Sequence, residues 1–342
     1  MLLGHEKVSF LHLPTPLDYL PGVSQDLGVE FYIKRDDLTH LGVGGNKLRK
    51  LEYLLKDAQD QGCTMLLTLG GAQTNHGRLT AAVAAKYGMK CAIVCVDDYP
   101  GELSANLLLD RLMGAEVILK HDDGRPEGEQ FAEVAAQVKA RYEAQGEKVY
   151  EIPVGGSSDL GILGYYECAQ ELTAQAKAMG LEDATVYAAV GSIGTYMGLY
   201  CGLANEQSPL GLVGVAISPF LEGKEKRIVE YFNSVKERFG LTCQGKREDF
   251  RIEKDYTRGA YNNPCREVRD AICYMARREA VILDPCYTGK AFAGICDMIR
   301  EGKIEKGSKL IFLHTGGLPG IYTKHHRVEF EKELMDGVTI LK

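Results

Sequence analysis

Gly-Gly-Asn-Lys at residues 44–47 leads directly into Leu-Arg-Lys-Leu-Glu-Tyr-Leu-Leu at residues 48–55. The two glycines let the backbone approach another group closely, and the lysine stands where this loop becomes an amphipathic helix. A lysine at the start of a rigid element suits an amine that forms a Schiff base with a carbonyl group. The alternative is an ordinary helix start whose charged side chains are solvated. The segment alone leaves both interpretations open.

Composition and charge narrow the class of protein. The 342 residues allow two domains or one large α/β domain, and the net charge of −7 disfavours a nucleic-acid-binding surface. No apolar run approaches the roughly 20 residues that span a membrane, and the N-terminus lacks the pattern of a secretory signal. Ten cysteines form no Cys-x-x-Cys pair and eight histidines form no metal-binding cluster. We therefore expect no metal and free thiols in a reducing cytoplasm.

Short apolar runs alternate with amphipathic stretches along the chain, which predicts an α/β fold with parallel sheets covered by helices on both faces. The predicted strands are residues 29–34, 65–69, 91–96, 117–119, 149–153, 185–190, 211–217, 281–283 and 309–314. The predicted helices are residues 46–60, 74–87, 103–113, 128–145 and 160–178. In such folds ligands bind at the carboxyl ends of the strands, near helix N-termini.

One predicted strand ends in Gly-Gly-Ala-Gln-Thr-Asn-His at residues 70–76. Thr74 suits the N-cap of the helix that follows. Capping does not explain the polar side chains of Gln73, Asn75 and His76 beside it. The segment therefore favours a ligand site over a simple helix cap.

Other strand ends carry groups that complement the lysine. Residues 191–195 read Gly-Ser-Ile-Gly-Thr, which is either a tight strand-to-helix turn or a phosphate-binding turn of backbone N–H groups. Thr315 ends another strand beside two glycines, where its hydroxyl could meet a flat ring at its edge. Tyr287 opens a further helix, either as a site phenol or as a partly buried aromatic residue. Together with Lys47, these groups fit pyridoxal 5′-phosphate.

At this point the chain resembles the pyridoxal-phosphate enzymes of fold type II, which are tryptophan synthase β-like. Within them it is similar to the branch of D-cysteine desulfhydrase and 1-aminocyclopropane-1-carboxylate deaminase. The motifs that carry the resemblance lie at residues 44–52, 73–76, 155–157, 284–290 and 314–317. The resemblance implies two open, twisted, mostly parallel sheets with the cofactor between two domains. It assigns residues 1–50 and 159–342 to a large domain and residues 51–158 to a small one.

The resemblance also implies roles for individual residues. Lys47 matches the Schiff-base lysine. The other expected cofactor-binding residues are Asn75, Gly191, Ser192, Ile193, Gly194, Thr195, Thr288 and Thr315. The expected substrate-binding residues are Gln73, Thr74, His76, Tyr261 and Tyr287. The expected catalytic residues are Lys47, Thr74, Tyr261 and Tyr287.

Three positions bear on the branch of the family. Deaminases that open a cyclopropane ring typically carry Glu after the tyrosine, where this chain has Thr288. A carboxylate beside the pyridine nitrogen would keep the nitrogen protonated, and a threonine would not. Thr74 replaces the more usual serine, and Tyr261 lies in Gly-Ala-Tyr-Asn-Asn-Pro rather than in Gly-Tyr-Gly. Both departures touch the substrate pocket and leave the expected cofactor site intact.

These observations predict an α,β-elimination on a small β-substituted amino acid, with D-cysteine yielding pyruvate, ammonia and hydrogen sulfide. Lys47 is the expected base. The alternative reactions are elimination of sulfite from L-cysteate, opening of a cyclopropane ring, racemisation and β-replacement. The alternative to an enzyme is a non-catalytic binding protein on the same fold. A homodimer is implied by the resemblance, and no nucleic-acid or membrane partner is expected.

Overall fold

The computed structural model describes residues 1–220 and 222–341. The strands are β1 Leu17–Tyr19, β2 Glu30–Arg35, β3 Met65–Gly70, β4 Lys90–Val96, β5 Glu116–Lys120, β6 Val149–Ile152, β7 Thr185–Val190, β8 Gly211–Ala216, β9 Ile252–Glu253 and β10 Lys309–His314. The helices are α1 Pro21–Leu27, α2 Lys47–Asp60, α3 Asn75–Lys86, α4 Ala105–Leu112, α5 Glu127–Glu143, α6 Leu163–Met179, α7 Gly194–Asn205, α8 Glu222–Phe239, α9 Arg266–Glu279, α10 Thr288–Arg300 and α11 Lys324–Leu334.

The strands form two sheets, as the predicted α/β class requires. The larger has six strands in the order β1-β2-β10-β7-β8-β9, and only β1 runs antiparallel to its neighbour. The smaller has four parallel strands in the order β5-β4-β3-β6. Every residue of β3 is buried, as expected for a strand with helices on both faces. The prediction of two mostly parallel sheets covered by helices is confirmed.

The smaller sheet is built from residues 65–152, and all other strands belong to the larger sheet. The domain boundaries at residues 50 and 158 stay a prediction. No helix in the described residues is long and apolar enough to cross a membrane.

The predicted strand at residues 281–283 is wrong. Val281 and Leu283 are buried, whereas Ile282 is 43% exposed, so the segment has an alternation typical of a strand. It nevertheless has no partner in either sheet of the described chain and simply connects α9 to α10. A strand needs a neighbour to satisfy its backbone groups, and a short apolar run does not reveal whether one exists.

Helix α2 positions Lys47, which is its first residue. Leu48, Leu51 and Leu55 are completely buried, which places one face of the helix in the main core. Arg49 is also buried, and its guanidinium donates to the carboxylates of Asp36 and Glu171. Apolar packing and this ion network together orient the start of α2.

Candidate active site

A cavity of about 810 Å³ lies where strands of both sheets end. Its walls come from the carboxyl ends of β3, β4, β7 and β10 and from the start of α2. The predicted site residues that line it are Lys47, Gln73, Thr74, Asn75, His76, Gly191, Ser192, Ile193, Thr195, Tyr261, Tyr287 and Thr315. Gly194 and Thr288 are not among its lining residues. The structure therefore brings together six separate stretches of the chain around one space.

The loop before Lys47 is tied to two other walls of the cavity. The backbone N–H of Asn46 donates to the carbonyl of Thr315 at 3.0 Å, and its side-chain Nδ2 donates to Oγ1 of Thr195 at 3.0 Å. Gly44 has a φ of +69°, and a Cβ there would collide with backbone carbonyls. The glycine-rich loop thus fixes Lys47 relative to both the turn after β7 and the end of β10.

The Lys47 amine has an altered acidity. Burial lowers the pKa of Lys47 to about 8. At pH 7 roughly a tenth of such an amine is uncharged, against well under a thousandth of a lysine with an ordinary pKa near 10.4. Uncharged amine is the form that attacks an aldehyde, so the environment prepares Lys47 for Schiff-base formation.

This acidity predicts how cofactor-free protein should capture pyridoxal phosphate, the cofactor that the sequence resemblance implies. Between pH 7 and pH 8 the capture rate is expected to rise several-fold and then to level off by about pH 9, where Lys47 is mostly uncharged. Stopped-flow absorbance at a series of pH values measures this, with butylamine and pyridoxal phosphate as the reference reaction. A capture rate that keeps rising in parallel with butylamine up to pH 10 would contradict the lowered pKa.

The turn between β7 and α7 has the shape of an anion-binding site. Ile193 adopts a φ of +69°, which is unusual for a β-branched residue. The twelve-residue helix α7 begins at the next residue, so its free N–H groups and positive dipole end face this turn. Oγ of Ser192 lies 2.9 Å from Oγ of Ser157, which brings a second hydroxyl to the same place.

Lys50 lies one helical turn after Lys47, and its side chain reaches the loop between β7 and α7. Its Nζ donates to the carbonyl of Gly155 at 3.1 Å and to Oγ of Ser157 at 3.4 Å. A Cβ on Gly194 would lie only 2.8 Å from Nζ, so glycine is needed for the lysine to approach the start of α7. Burial, and then the charge of Lys47, hold the pKa of Lys50 well below its usual value. A phosphate here would oppose that shift and supply the missing counter-charge.

The segment 73–76 is fastened to α4 by Asn106. Its backbone N–H donates to Oε1 of Gln73 at 2.9 Å, and its Nδ2 donates to Oδ1 of Asn75 at 3.0 Å. With its oxygen bound in this way, the Asn75 amide has N–H groups left to donate toward a ligand. Thr74 caps α3, and its Oγ1 accepts a hydrogen bond from Gly77 N at 3.2 Å. Sequence reasoning missed Asn106, because nothing near it in the chain marks its role.

His76 is 2% exposed and lines the same cavity. Within the described residues neither of its ring nitrogens has a hydrogen-bond partner. Burial, followed by the charges of Lys47 and Lys50, holds the pKa of His76 well below its usual value. A neutral imidazole with two unsatisfied nitrogens is ready to bind a ligand.

Two phenols face each other at the opposite wall. The hydroxyl oxygens of Tyr261 and Tyr287 lie 2.8 Å apart. Burial raises the pKa of Tyr287, and both phenols are protonated at neutral pH. Each phenol can therefore donate a proton more readily than it can accept one.

Asp284 shapes the start of α10. Its carboxylate accepts hydrogen bonds from the backbone N–H groups of Cys286, Tyr287 and Thr288 at 2.7–3.0 Å. The Thr288 hydroxyl donates to Oδ1 of Asp284 at 2.8 Å. Thr288 is completely buried, so its hydroxyl serves Asp284. Asp284 was missed as a site residue, although an aspartate just before a helix is a common N-terminal signal.

Comparisons with known proteins agree with this geometry. A family model described as pyridoxal-phosphate dependent enzyme matches residues 8–316. The chain belongs to that family. A D-cysteine desulfhydrase from Yersinia enterocolitica is 39% identical over 340 residues, covering 96% of this chain and 100% of that protein. A Pyrococcus abyssi protein, provisionally named 1-aminocyclopropane-1-carboxylate deaminase, is 40% identical over 322 residues, covering 94% of each chain. The crystal structure of a protein described as a 1-aminocyclopropane-1-carboxylate deaminase homologue superposes with a TM-score of 0.86 at 35% identity, covering 98% of both chains.

The pyridoxal-phosphate dependent enzyme has the fold type II architecture, and the predicted cofactor is confirmed. The cavity has groups that suit both the phosphate and the aldehyde of pyridoxal phosphate. The turn after β7, with Lys50, Ser157 and Ser192, suits the phosphate, and Lys47 suits the aldehyde. His76 lines the same cavity, and within the described part of the chain its two buried ring nitrogens have no partner and could serve a polar ligand there.

Proposed function

We propose that this enzyme is a lyase that eliminates the β-substituent of a small amino acid, with D-cysteine as its substrate. The observation that carries this choice is the environment of residue 288. Thr288 replaces the glutamate typical of cyclopropane ring opening, and its hydroxyl is bound to Asp284. Asp284 is itself saturated by backbone N–H groups. A strongly protonated ring nitrogen is therefore not favoured, and a good leaving group such as thiolate requires less electron withdrawal.

The substrate carboxylate is proposed to bind at the N-terminus of α3. The N–H groups of Asn75 and His76 belong to the first turn of this twelve-residue helix and have no partner within it. The positive end of the helix dipole favours an anion there. The Thr74 hydroxyl accepts from Gly77 N and keeps its own hydrogen free to donate. Gln73 positions this segment through its hydrogen bonds to the first turn of α4.

Lys47 is the proposed base that removes the Cα proton. When bound, pyridoxal phosphate supplies the electron sink that stabilises negative charge at Cα. Because the pKa of Lys47 is lowered to about 8 by burial, its amine can accept a proton near neutral pH. Asn75 and Thr315 are proposed to contact the cofactor ring, and Gly191–Thr195 its phosphate.

The tyrosine pair is proposed to serve the leaving group. The electron pair of the broken Cβ–S bond departs with sulfur, and Tyr287 or Tyr261 donates the proton that makes it hydrosulfide or hydrogen sulfide. Water then hydrolyses the unsaturated product to pyruvate and ammonia. Both phenols are protonated at neutral pH and so carry a proton that can be donated.

Some relatives are named as D-cysteine desulfhydrases and others as 1-aminocyclopropane-1-carboxylate deaminases, so one assay must separate the two activities. Purified holoenzyme is incubated with D-cysteine, L-cysteine, L-cysteate, D-serine and 1-aminocyclopropane-1-carboxylate, and pyruvate, 2-oxobutyrate, sulfide and sulfite are measured. We expect equal amounts of pyruvate and sulfide from D-cysteine and at least about tenfold lower kcat/KM for the others. Faster release of 2-oxobutyrate from the cyclopropane substrate would contradict the proposal, and exchange of the Cα proton without pyruvate would indicate a racemase.

A homodimer and a cytoplasmic location belong to the same proposal. Both rest on the family resemblance, and the cysteine pattern supports a reducing compartment. Sedimentation of the purified protein tests the first, and fractionation of cells tests the second.

A further inference from the structure

The loop at residues 258–263 carries Tyr261 over the cavity. The Tyr261 side chain is 55% exposed, so packing alone does not fix its position. Its ring touches Tyr287 edge-on, with centroids 5.9 Å apart. Arg258, Gly259 and Asn262 all have positive φ values between 55° and 85°. A loop with this much left-handed backbone needs specific contacts to keep one shape.

One side of the loop is anchored to the protein core. Nζ of Lys290 donates to the carbonyl of Ala260 and, at 2.8 Å, to that of Ile217. Within the loop, Nδ2 of Asn263 donates to the carbonyl of Arg258 at 2.8 Å. These contacts hold the residues before and after Tyr261. They do not explain how the other side of the loop is held in place.

On its other side, the loop is joined to α11 through the side chain of Asn262. Asn262 Nδ2 lies 3.0 Å from Nε2 of His325, and its Oδ1 lies 2.8 Å from Nε2 of His326. Both histidines belong to α11, and His326 is 1% exposed. Turning the amide over would preserve both hydrogen bonds with the opposite imidazole tautomers, so the clamp does not depend on that assignment. Asn262 thus joins the Tyr261 loop to a helix at the mouth of the cavity.

We propose that Asn262 is a positioning residue for Tyr261: it clamps the loop to His325 and His326 and thereby keeps the Tyr261 hydroxyl against Tyr287. This inference rests on the proposed elimination for its kinetic consequence, but the clamp itself is independent of the reaction. The usual Gly-Tyr-Gly pattern of the family has a glycine after the tyrosine, and glycine tolerates the same positive φ without any side chain. Asparagine keeps the backbone shape and adds the two hydrogen bonds.

Asn262→Gly is the decisive variant, because glycine retains the left-handed backbone and removes only the amide. Amide hydrogen exchange across residues 259–263 is expected to become about tenfold faster or more, as two hydrogen bonds are lost. With D-cysteine, kcat is expected to fall about tenfold, while KM, cofactor affinity and the cofactor absorbance change less than about twofold. A purely structural role would move stability or cofactor binding rather than kcat alone.

Two further variants test whether the effects of Asn262→Gly come from the lost hydrogen bonds or from the flexibility of glycine. Asn262→Asp places one acceptor oxygen within reach of Nε2 of each histidine, to which either imidazole can donate, and is expected to stay within about twofold of the original enzyme in exchange and kcat. Gln207→Gly is the matched control, because Gln207 also has a positive φ, of 52°, in the exposed connection from α7 to β8. It is expected to change neither the exchange of residues 259–263 nor turnover.

Several results would overturn the inference. Unchanged loop exchange in Asn262→Gly would show that the clamp does not hold the loop. Faster exchange with unchanged kcat would show that the loop does not position a group needed for turnover. A loss in Asn262→Asp as large as that in Asn262→Gly would exclude the histidine contacts as the cause. If the original enzyme releases no pyruvate from any substrate, the proposed function fails, and the exchange measurements still decide whether the clamp exists.

Discussion

Lys47→Ala is expected to fold normally, to lose the absorbance band near the visible edge that a lysine-bound cofactor gives, and to lose turnover by three orders of magnitude or more. The reason is that one side chain has two tasks. Lys47 is the residue proposed to hold the cofactor aldehyde when the cofactor is bound, and the same amine is proposed to take the Cα proton. Its lowered pKa of about 8 serves both. Absorbance spectra and a pyruvate assay measure the two losses separately.

Lys56→Ala is the matched control for this variant. Lys56 lies on the same helix, and its ammonium pairs with the carboxylate of Asp60 at the surface. It is expected to keep both the band and the turnover. Retention of the full band and full activity in Lys47→Ala would remove the lysine from the mechanism. Nearby Lys50 cannot substitute easily, since its Nζ is directed to the carbonyl of Gly155.

Arg49→Met is expected to destabilise the protein by about 3–5 kcal/mol, the usual loss when one partner of a buried ion network is removed. Arg49 is 1% exposed and donates to Asp36 at 2.8 Å and to Glu171 at 3.0 Å. Asp36 also accepts from the Tyr165 hydroxyl at 2.5 Å and is completely buried. Methionine would fill the space and leave two carboxylates without their main counter-charge. Urea unfolding at pH 7 measures the loss.

The pH dependence of this loss has a defined sign. Burial acts to raise the pKa of Asp36, but the charges of Arg49 and then Lys34 outweigh it, and the net pKa is lowered. The pKa of Glu171 is lowered for similar reasons. Groups with lowered folded pKa values stabilise the protein above their unfolded values of about 4, and that contribution is lost as the pH falls further. The difference between Arg49→Met and the original protein should therefore be full at pH 7 and shrink in acid.

Arg141→Met provides the control for Arg49→Met. Arg141 pairs with Glu116, and its side chain is 46% exposed, so its replacement is expected to cost no more than about 1 kcal/mol. Equal destabilisation by the two variants would contradict a special role for the buried network. Because α2 begins at Lys47, only two residues before Arg49, Arg49→Met is also expected to weaken cofactor binding.

The strand ends were predictable from sequence because their signals are local. The buried run before Gly191 and the glycine-rich turn after it are contiguous, and so are the run and turn around Thr315. Parallel topology then places such ends at one edge of each sheet. The 281–283 segment shows the limit of this reasoning. It has the same apolar character, yet pairing depends on a neighbour that is distant in the chain.

Contacts between remote residues were not predictable in the same way. Asn262 meets His325 across 63 positions, and Asn106 meets Asn75 across 31. Each is a single polar residue in a segment without periodic pattern, so only the folded chain reveals its partner. Thr288 was expected near the cofactor, and its bond to Asp284 depends on a turn geometry that the motif alone does not specify.

The most direct measurement for this account is to identify the lysine that holds the cofactor. Holoenzyme is reduced with borohydride, digested and mapped by mass spectrometry, which locates the phosphopyridoxyl group on one side chain. We predict the group on Lys47, and none on Lys50 although it lies one helical turn away and also reaches the cavity region. A phosphopyridoxyl group on Lys50, or on no lysine of the motif at residues 44–52, would contradict the assignment from which the proposed chemistry follows.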